Sequence, residues 1–313
     1  MKLSFVVPCF NEQGNVGNFY KRVEEVFRYS GYSYEYIFVN DGSKDQTYEK
    51  LKLLVSIYTE SNIKVINFSR NFGKESAMYA GLQASTGEYV VIIDADLQQD
   101  PEYVMKMIKA IEKDPSYDSV AAFQEKRHEG KILKMFKSWF YHLINRISEV
   151  EFVEGASDFR LLRRNMVDAI LALPERNRFS KGIFSWIGFK TLYMPYEVQD
   201  RVNGQSSWSF WKLFRYAVEG FVSFSMTPLR IATFFGLLFS LLAFLYLIFV
   251  IIQTLCFGIQ IAGYATIICL ILLIGGIQLF CLGIMGEYLA RNYIESKKRP
   301  IYVVKDRIST KED

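Results

Sequence analysis

The sequence predicts an α/β fold with a mainly parallel sheet, tied to a bilayer by a pair of helices near its C-terminal end. Three observations carry this. Apolar runs alternate with amphipathic stretches from Leu3 to Phe123. Polar clusters recur where those runs end, at Asn11-Glu12, Asn40-Asp41 and Asp94-Ala95-Asp96. From Ile231 to Gly286 there is no Asp, Glu, Lys, Arg or His.

Leu3–Pro8 reads as a buried strand, and the apolar spacing from Val16 to Ser30 as a helix. Tyr34–Asn40 is the next strand, turning at Asp41-Gly42-Ser43, with a helix over Thr47–Thr59. Lys64–Phe68 is short and β-rich, and a helix over Glu75–Ala84 leads to the continuous apolar strand Glu88–Asp94. Asp100-Pro101 is an N-cap with proline at the first helical position, opening a helix to Lys113, and Asp118–Phe123 is a further strand. Strands apolar on both faces and separated by helices belong in a parallel sheet covered on both sides. Ligands of such sheets bind beyond the carboxyl ends of the strands, where the polar clusters lie.

The uncharged run is long enough for two spans of about 20 residues each. They are expected at 231–252 and 264–286, divided by Gln253-Thr254 and the stretch from Gly258 to Gly263. Lys212, Arg215 and Arg230 precede the hairpin, and Arg291, Lys297, Lys298 and Arg299 follow it. Positive flanks stay cytoplasmic, so a multi-pass cell (inner) membrane protein with both termini in the cytoplasm is expected. Stretches 131–147 and 208–225 place aromatic and aliphatic side chains on one side and basic ones on another, as interface helices do. The expected division is a cytoplasmic α/β domain at 1–205, an interface helix at 206–228, the hairpin at 229–288 and a cytoplasmic tail at 289–313. The net charge of +4 is too mild for a nucleic-acid binder. Leu3-Ser4-Phe5-Val6-Val7 is already strand-like, so no signal peptide is expected. Cys9, Cys256, Cys269 and Cys281 form no disulfide framework, which suits a reducing compartment.

Asp94-Ala95-Asp96 ends a buried strand. If the chain stays extended, Asp94, Asp96 and Gln98 present oxygens to one site, and such hard oxygens suit a divalent cation held jointly with substrate phosphates. The triplet also reads as a pair of solvated turn aspartates. Asn40-Asp41-Gly42-Ser43 offers a carboxylate to a base or ribose, or is an ordinary turn. Arg70-Asn71-Phe72-Gly73-Lys74 precedes a helix and places cations near a diphosphate, or is a solvated basic loop. Asp158 in Ser157-Asp158-Phe159-Arg160 reads as an acid or base, or as a turn cap.

Taken in order, these motifs resemble the polyprenyl-phosphate glycosyltransferases of family 2. The set is Val7-Pro8-Cys9-Phe10-Asn11-Glu12, Asn40-Asp41-Gly42-Ser43, Arg70 to Lys74, Asp94 to Gln98, Ser157 to Arg160, Asn177-Arg178-Phe179 and Trp186-Ile187-Gly188. The two-helix hairpin looks like the bacterial bactoprenol branch. The resemblance implies a GT-A fold, a nucleotide-sugar donor, inversion and a divalent metal, Mg²⁺ or Mn²⁺. It implies that Pro8, Phe10, Glu12, Asn40, Asp41, Lys74, Asp94 and Arg201 bind the nucleotide sugar, and that Asp94, Asp96 and Gln98 hold the metal. Asp158 matches the acceptor-side aspartate, orienting the acceptor or accepting a residual proton. The chain departs from the family's Asp-Asp-Gly-Ser by carrying Asn40 in the first place.

The expected reaction is transfer of a hexose from a UDP-sugar, UDP-glucose first, to undecaprenyl or another polyprenyl phosphate at the cytoplasmic membrane face. Mannose, N-acetylhexosamine and aminoarabinose donors stay open, as does assembly with further copies of the chain. A processive polysaccharide synthase needs more spans, and a non-catalytic scaffold has no need of intact Asp94, Asp96 and Asp158. Because the nucleotide motifs precede Ser207, a chain cut at about Thr227 is expected to keep nucleotide binding.

Overall fold

The computed structural model describes residues 2–124, 145, 153, 155–196, 227–257 and 263–311. Strands β1 (Lys2–Cys9), β2 (Ser33–Asn40), β3 (Ile63–Phe68), β4 (Tyr89–Ile92) and β5 (Ser119–Gln124) alternate with helices α1 (Val16–Phe27), α2 (Thr47–Ile57), α3 (Lys74–Ala84) and α4 (Glu102–Lys113). After β6 (Ala156–Arg163) come α5 (Arg164–Leu171), α6 (Ser180–Trp186) and β7 (Thr191–Tyr196). Two long helices follow, α7 (Thr227–Phe257) and α8 (Tyr264–Ser296), and then β8 (Val304–Ser309).

The strands form one sheet in the order β7-β5-β6-β4-β1-β2-β3-β8. Its centre is parallel, with β1 between β4 and β2, and β3 beyond β2. β6 runs antiparallel to both β4 and β5, and β8 runs antiparallel to β3. The sheet is therefore mixed but mainly parallel, as expected. Alternating side chains fill opposite faces. Phe5, Val7, Tyr36 and Phe38 pack under α1 and α4, while Val6, Ile37, Val39 and Ile92 pack with Met78, Met166 and Ile183 on the other face. α1 buries Val16, Phe19, Tyr20, Val23 and Phe27, the spacing of a single helical stripe.

The strand ends away from the polar clusters are held by Glu35, whose side chain is fully buried. Ser4 Oγ donates to its Oε1 at 2.7 Å, and Thr86 donates through N and Oγ1 at 2.8 and 2.7 Å. Lys2 Nζ lies 3.5 Å from Oε2. Burial pushes this carboxyl up, but the donors and Lys2 outweigh it and hold it below its ordinary range. A depressed carboxyl stabilises the fold above its unfolded pKa of about 4.3 and stops doing so as pH falls through the folded value. Glu35→Gln is therefore expected to cost about 1–3 kcal/mol at pH 7, since Gln Nε2 meets Lys2 unpaired. Melting temperatures against pH check this: the gap between parent and variant should close as pH falls below the carboxylate range. A gap that stays constant down to about pH 3, below the ordinary glutamate value, contradicts the assignment.

The expected hairpin is present as α7 and α8, which touch where Cys281 Sγ lies 3.7 Å from the Ala232 carbonyl. Among the described residues, one helical stretch, Leu273–Ser296, is long and apolar enough to cross a membrane. Phe234, Leu237, Leu255, Leu279 and Phe280 are exposed on the two helices. The residues read as a tail hold the end of α8 and an edge strand of the sheet. A cut at Thr227 thus removes part of the sheet that carries the nucleotide motifs. The expected interface helix at 208–225, and that at 131–147 apart from Asn145, lie outside the described residues, as do Arg201 and the boundary at 205.

Candidate functional site

The register of β4 on β6 pairs Ile92 with Arg160. Continued by two residues, it sets Asp94 opposite Asp158, and there the two aspartates share one cation. Lys74 Nζ, in the first turn of α3, lies 2.7 and 2.9 Å from Asp94 Oδ1 and Oδ2, and 3.2 Å from Asp158 Oδ2. Lys74 remains 42% exposed, so this meeting point opens to solvent. Burial lowers the Lys74 pKa, but Asp94 and Asp158 more than reverse this and raise it well above its ordinary value.

The chain does not stay extended after β4. It turns at Ala95-Asp96, and Leu97 adopts φ +59°. The reason is local: Gln98 N donates to Asp96 Oδ1 at 3.1 Å, and Asp94 N donates to Gln99 Oε1 at 3.2 Å. Gln99 is a buried amide that nothing in the local sequence marks as part of the site. Its Nε2 reaches Ser157 Oγ at 3.5 Å, tying the Asp94 turn to the Asp158 strand.

A set of buried charges backs Asp158. Arg160 is buried with its guanidinium 3.7 Å from the Phe184 ring centre, and Nη2 donates to the Ser157 carbonyl at 3.0 Å. Burial pulls the Arg160 pKa down to about 10. Burial also lowers Lys181, with Asp158 opposing and Arg160 and Lys74 reinforcing. Asp158 itself is pushed up by burial but held below its ordinary range by Lys74, Lys181 and Arg160, so it is ionised at neutral pH. Its Oδ1 is buried without a hydrogen-bond partner among the described residues. Glu75 takes Ser180 N at 2.9 Å and also Ser180 Oγ, which fixes the start of α6. The preceding loop is clasped by α8: Arg176 N and Asn177 N donate to Glu295 Oε1 at 2.7 and 3.2 Å. Lys181, Glu75 and Glu295 carried no signal in the sequence because their partners lie far off in the chain.

The other sequence-predicted residues line the ends of β1 and β2. Pro8 is half-buried and Phe10 is 44% exposed. Glu12 Oε2 accepts from Asn15 Nδ2 at 2.6 Å. Asp41 is buried and accepts from Phe72 N and Gly73 N at 2.6 and 2.9 Å. Burial raises its pKa despite these donors. Asp41 thereby pins the Arg70–Lys74 loop beside the turn. Gly42, at φ +62°, lets that loop approach, since a Cβ there would collide with the Arg70 and Asn71 backbone. Asn40 is buried between Asn67 and Ser43. The geometry joins Lys74, Asp94 and Asp158 at one point. Pro8, Phe10, Glu12, Asn40 and Asp41 form a neighbouring wall, with Asp96 and Gln98 on the turn between.

Comparison with known proteins shows the family. The family described as "Glycosyl transferase family 2" matches residues 4–171, and "GtrB C-terminal hairpin" matches 227–291. The bactoprenol glucosyl transferase of Shigella phage SfX is 42% identical over 308 residues, covering 98% of this chain and 100% of that protein. A prophage bactoprenol glucosyl transferase homolog of Escherichia coli (strain K12) is 41% identical, covering 97% and 99%. The putative glycosyltransferase CsbB of Bacillus subtilis (strain 168) is 44% identical, covering 97% and 91%. Among solved structures, a mannosyltransferase from Pyrobaculum calidifontis in complex with GDP-Man and Mn²⁺ aligns with a TM-score of 0.50 at 16% identity, covering 71% of this chain and 63% of that one. That likeness is one of fold, the GT-A arrangement.

Proposed function

This chain belongs to glycosyl transferase family 2 and carries the GtrB-type hairpin, and from that premise we propose that it transfers glucose from UDP-glucose to a polyprenyl phosphate, with inversion. The observation that carries the reading is the junction of Asp94 and Asp158 around Lys74 at the open end of the sheet. The nucleotide lies along the wall from Pro8 to Asp41, its diphosphate towards Lys74 and the Asp94–Asp96 turn. The acceptor phosphate approaches from the side of Asp158, Arg160 and Lys181, where cations outnumber carboxylates. A phosphate oxygen attacks the anomeric carbon, the new O–C bond forms, and the electron pair of the breaking bond leaves on the UDP diphosphate. The attacking monoester, with a second pKa of about 6, is already largely dianionic near pH 7. Asp158, kept ionised by its basic neighbours, therefore orients the acceptor through Lys74 and Lys181.

Among the described residues no group of three or more His, Cys, Asp or Glu side chains gathers as a closed metal site. Asp94 fits a divalent cation in the way Mg²⁺ is usually held, by one or two carboxylates with substrate phosphates completing the shell. The turn at Ala95–Leu97 breaks the extended line on which Asp96 and Gln98 are expected to join it, and Asp96 Oδ1 accepts from Gln98 N. The pairing of both Asp94 oxygens with an ammonium marks that carboxylate as a cation acceptor. When bound, Mg²⁺ or Mn²⁺ neutralises charge developing on the leaving diphosphate.

The membrane placement is supported by the sheet itself. β3 precedes the hairpin and β8 follows it, and the two are hydrogen-bonded. That pairing supports flanks of the hairpin on one side of a bilayer, as two crossings by α7 and α8 require. The basic residues flanking the hairpin favour the cytoplasm for that side. The site is then held at the depth of the acceptor headgroup, so that positioning replaces a search in three dimensions.

The test is a panel of nucleotide sugars given to the full chain in nanodiscs containing undecaprenyl phosphate, with and without Mn²⁺. Metal-dependent formation of glucosyl undecaprenyl phosphate from UDP-glucose is expected. Faster transfer from another nucleotide sugar reassigns the donor, and transfer to water alone removes the lipid acceptor.

A further inference from the structure

A polar rung crosses the sheet edge. The strand registers pair Asn40 of β2 with Asn67 of β3, and Asn67 with Asp306 of β8. The side chains follow the same line. Asn67 Nδ2 donates to Asp306 Oδ1 at 2.7 Å, and Tyr48 OH donates to Oδ2. Asn40 Nδ2 donates to Asn67 Oδ1 at 2.8 Å. Ser43 Oγ donates to Asn40 Oδ1 at 2.5 Å and accepts from Asn11 N at 3.0 Å. Asn11 Oδ1 accepts from Lys44 N at 2.9 Å. Asn40 and Asn67 are both buried.

The sense of every link is set from one end. An ionised carboxylate only accepts, so Asp306 compels Asn67 to turn its amide nitrogen outward and its oxygen towards Asn40. Asn40 must then donate to Asn67 and accept from Ser43, which an aspartate cannot do. The Ser43 hydroxyl proton is committed to Asn40, leaving a lone pair for Asn11 N. Asn11 needs that hold, because it sits at φ +59°, a conformation few non-glycine residues adopt. Its neighbour Phe10 is the exposed aromatic of the nucleotide wall.

We propose that Asp306 is a positioning residue for the donor: from beyond the hairpin, it orients the Asn67–Asn40–Ser43–Asn11 chain that shapes the wall on which the nucleotide rests. This rests on the donor assignment above. It accounts for Asn40, and it places part of the donor site in a strand outside the matched catalytic segment of 4–171.

The experiment uses the full chain in nanodiscs, with UDP binding measured by calorimetry in Mn²⁺ and the donor KM and kcat measured separately. Asp306→Leu removes both acceptor oxygens, so Asn67 Nδ2 loses its partner and the sense of the chain is unset. An amide alone is no test, because its oxygen still accepts from Asn67 while its nitrogen donates to the Tyr48 hydroxyl. UDP affinity is expected to fall and donor KM to rise about three- to tenfold, the scale of one hydrogen bond, with kcat close to parental. Lys305→Ala, on the exposed face of the same strand, should behave as the parent. The double exchange of Asn67→Asp with Asp306→Asn restores the sense of the chain. The carboxylate is then on β3, where it accepts from Asn40 and from the new β8 amide, and the oxygen of that amide accepts from Tyr48. The double variant should recover most of the lost affinity, which a variant that merely loosens the edge strand cannot do. Parental affinity in Asp306→Leu, or no recovery in the exchange, overturns the proposal. A panel of nucleoside diphosphates on the parent keeps the donor assignment separate: it fixes the base, and the variants are scored on whichever diphosphate the parent binds.

Discussion

Asp94→Asn is expected to lower kcat by about 10²–10³, the usual cost of removing one preorganised electrostatic contact from a reacting centre. Asp94 faces Lys74 with both oxygens and is the carboxylate that fits the cation. An amide keeps the shape and the backbone bond to Gln99 but loses the charge. The metal concentration for half-maximal activity should rise with the loss of turnover, while the melting temperature stays near the parental value. Turnover and metal requirement both at parental levels would remove Asp94 from the site.

Asp158→Asn is expected to cost a similar factor and, more tellingly, to become worse as pH rises. In the parent, Asp158 is already ionised, so raising pH changes nothing on the carboxylate. Lys181 is different: burial, Arg160 and Lys74 lower its pKa, while Asp158 first and Glu75 after it raise it. Without that carboxylate Lys181 loses its proton at lower pH than in the parent. A cation facing the acceptor phosphate then disappears on the alkaline side, below the ordinary lysine value of about 10.4. The pH–rate profile at saturating donor should show the alkaline limb of the variant displaced towards neutrality. Recovery towards the parental rate above about pH 8, well past the phosphate pKa of about 6, would instead make Asp158 a general base.

The strands and helices up to Phe123 were legible because each is set by a local pattern. The apolar run of β4 and the stripe of α1 need no partner to be recognised. The hairpin was legible because its solvent allows no charge. The turn at Ala95–Leu97 was not, since it is fixed by Gln99 and by a left-handed leucine, a residue type that gives no turn signal. Glu75, Lys181 and Glu295 acquire their places only when α6 and α8 dock. β8 left a trace: Val304, Asp306 and Ile308 share one face, and a charge flanked by aliphatics on an inward face needs a buried partner. That partner, Asn67, is 239 positions away.

The position of β8 also orders the birth of the protein. The ribosome makes α7 and α8 before it makes Val304–Ser309. The edge strand is therefore the last element of the sheet to be made, and Asn67 waits for Asp306 until the chain is nearly complete. A nascent chain that still lacks β8 has an open sheet edge at β3 and an unoriented Asn40. The nucleotide pocket proposed above is thus completed only when the chain is finished, and a chain cut short before Val304 lacks both Asp306 and the β3–β8 pairing.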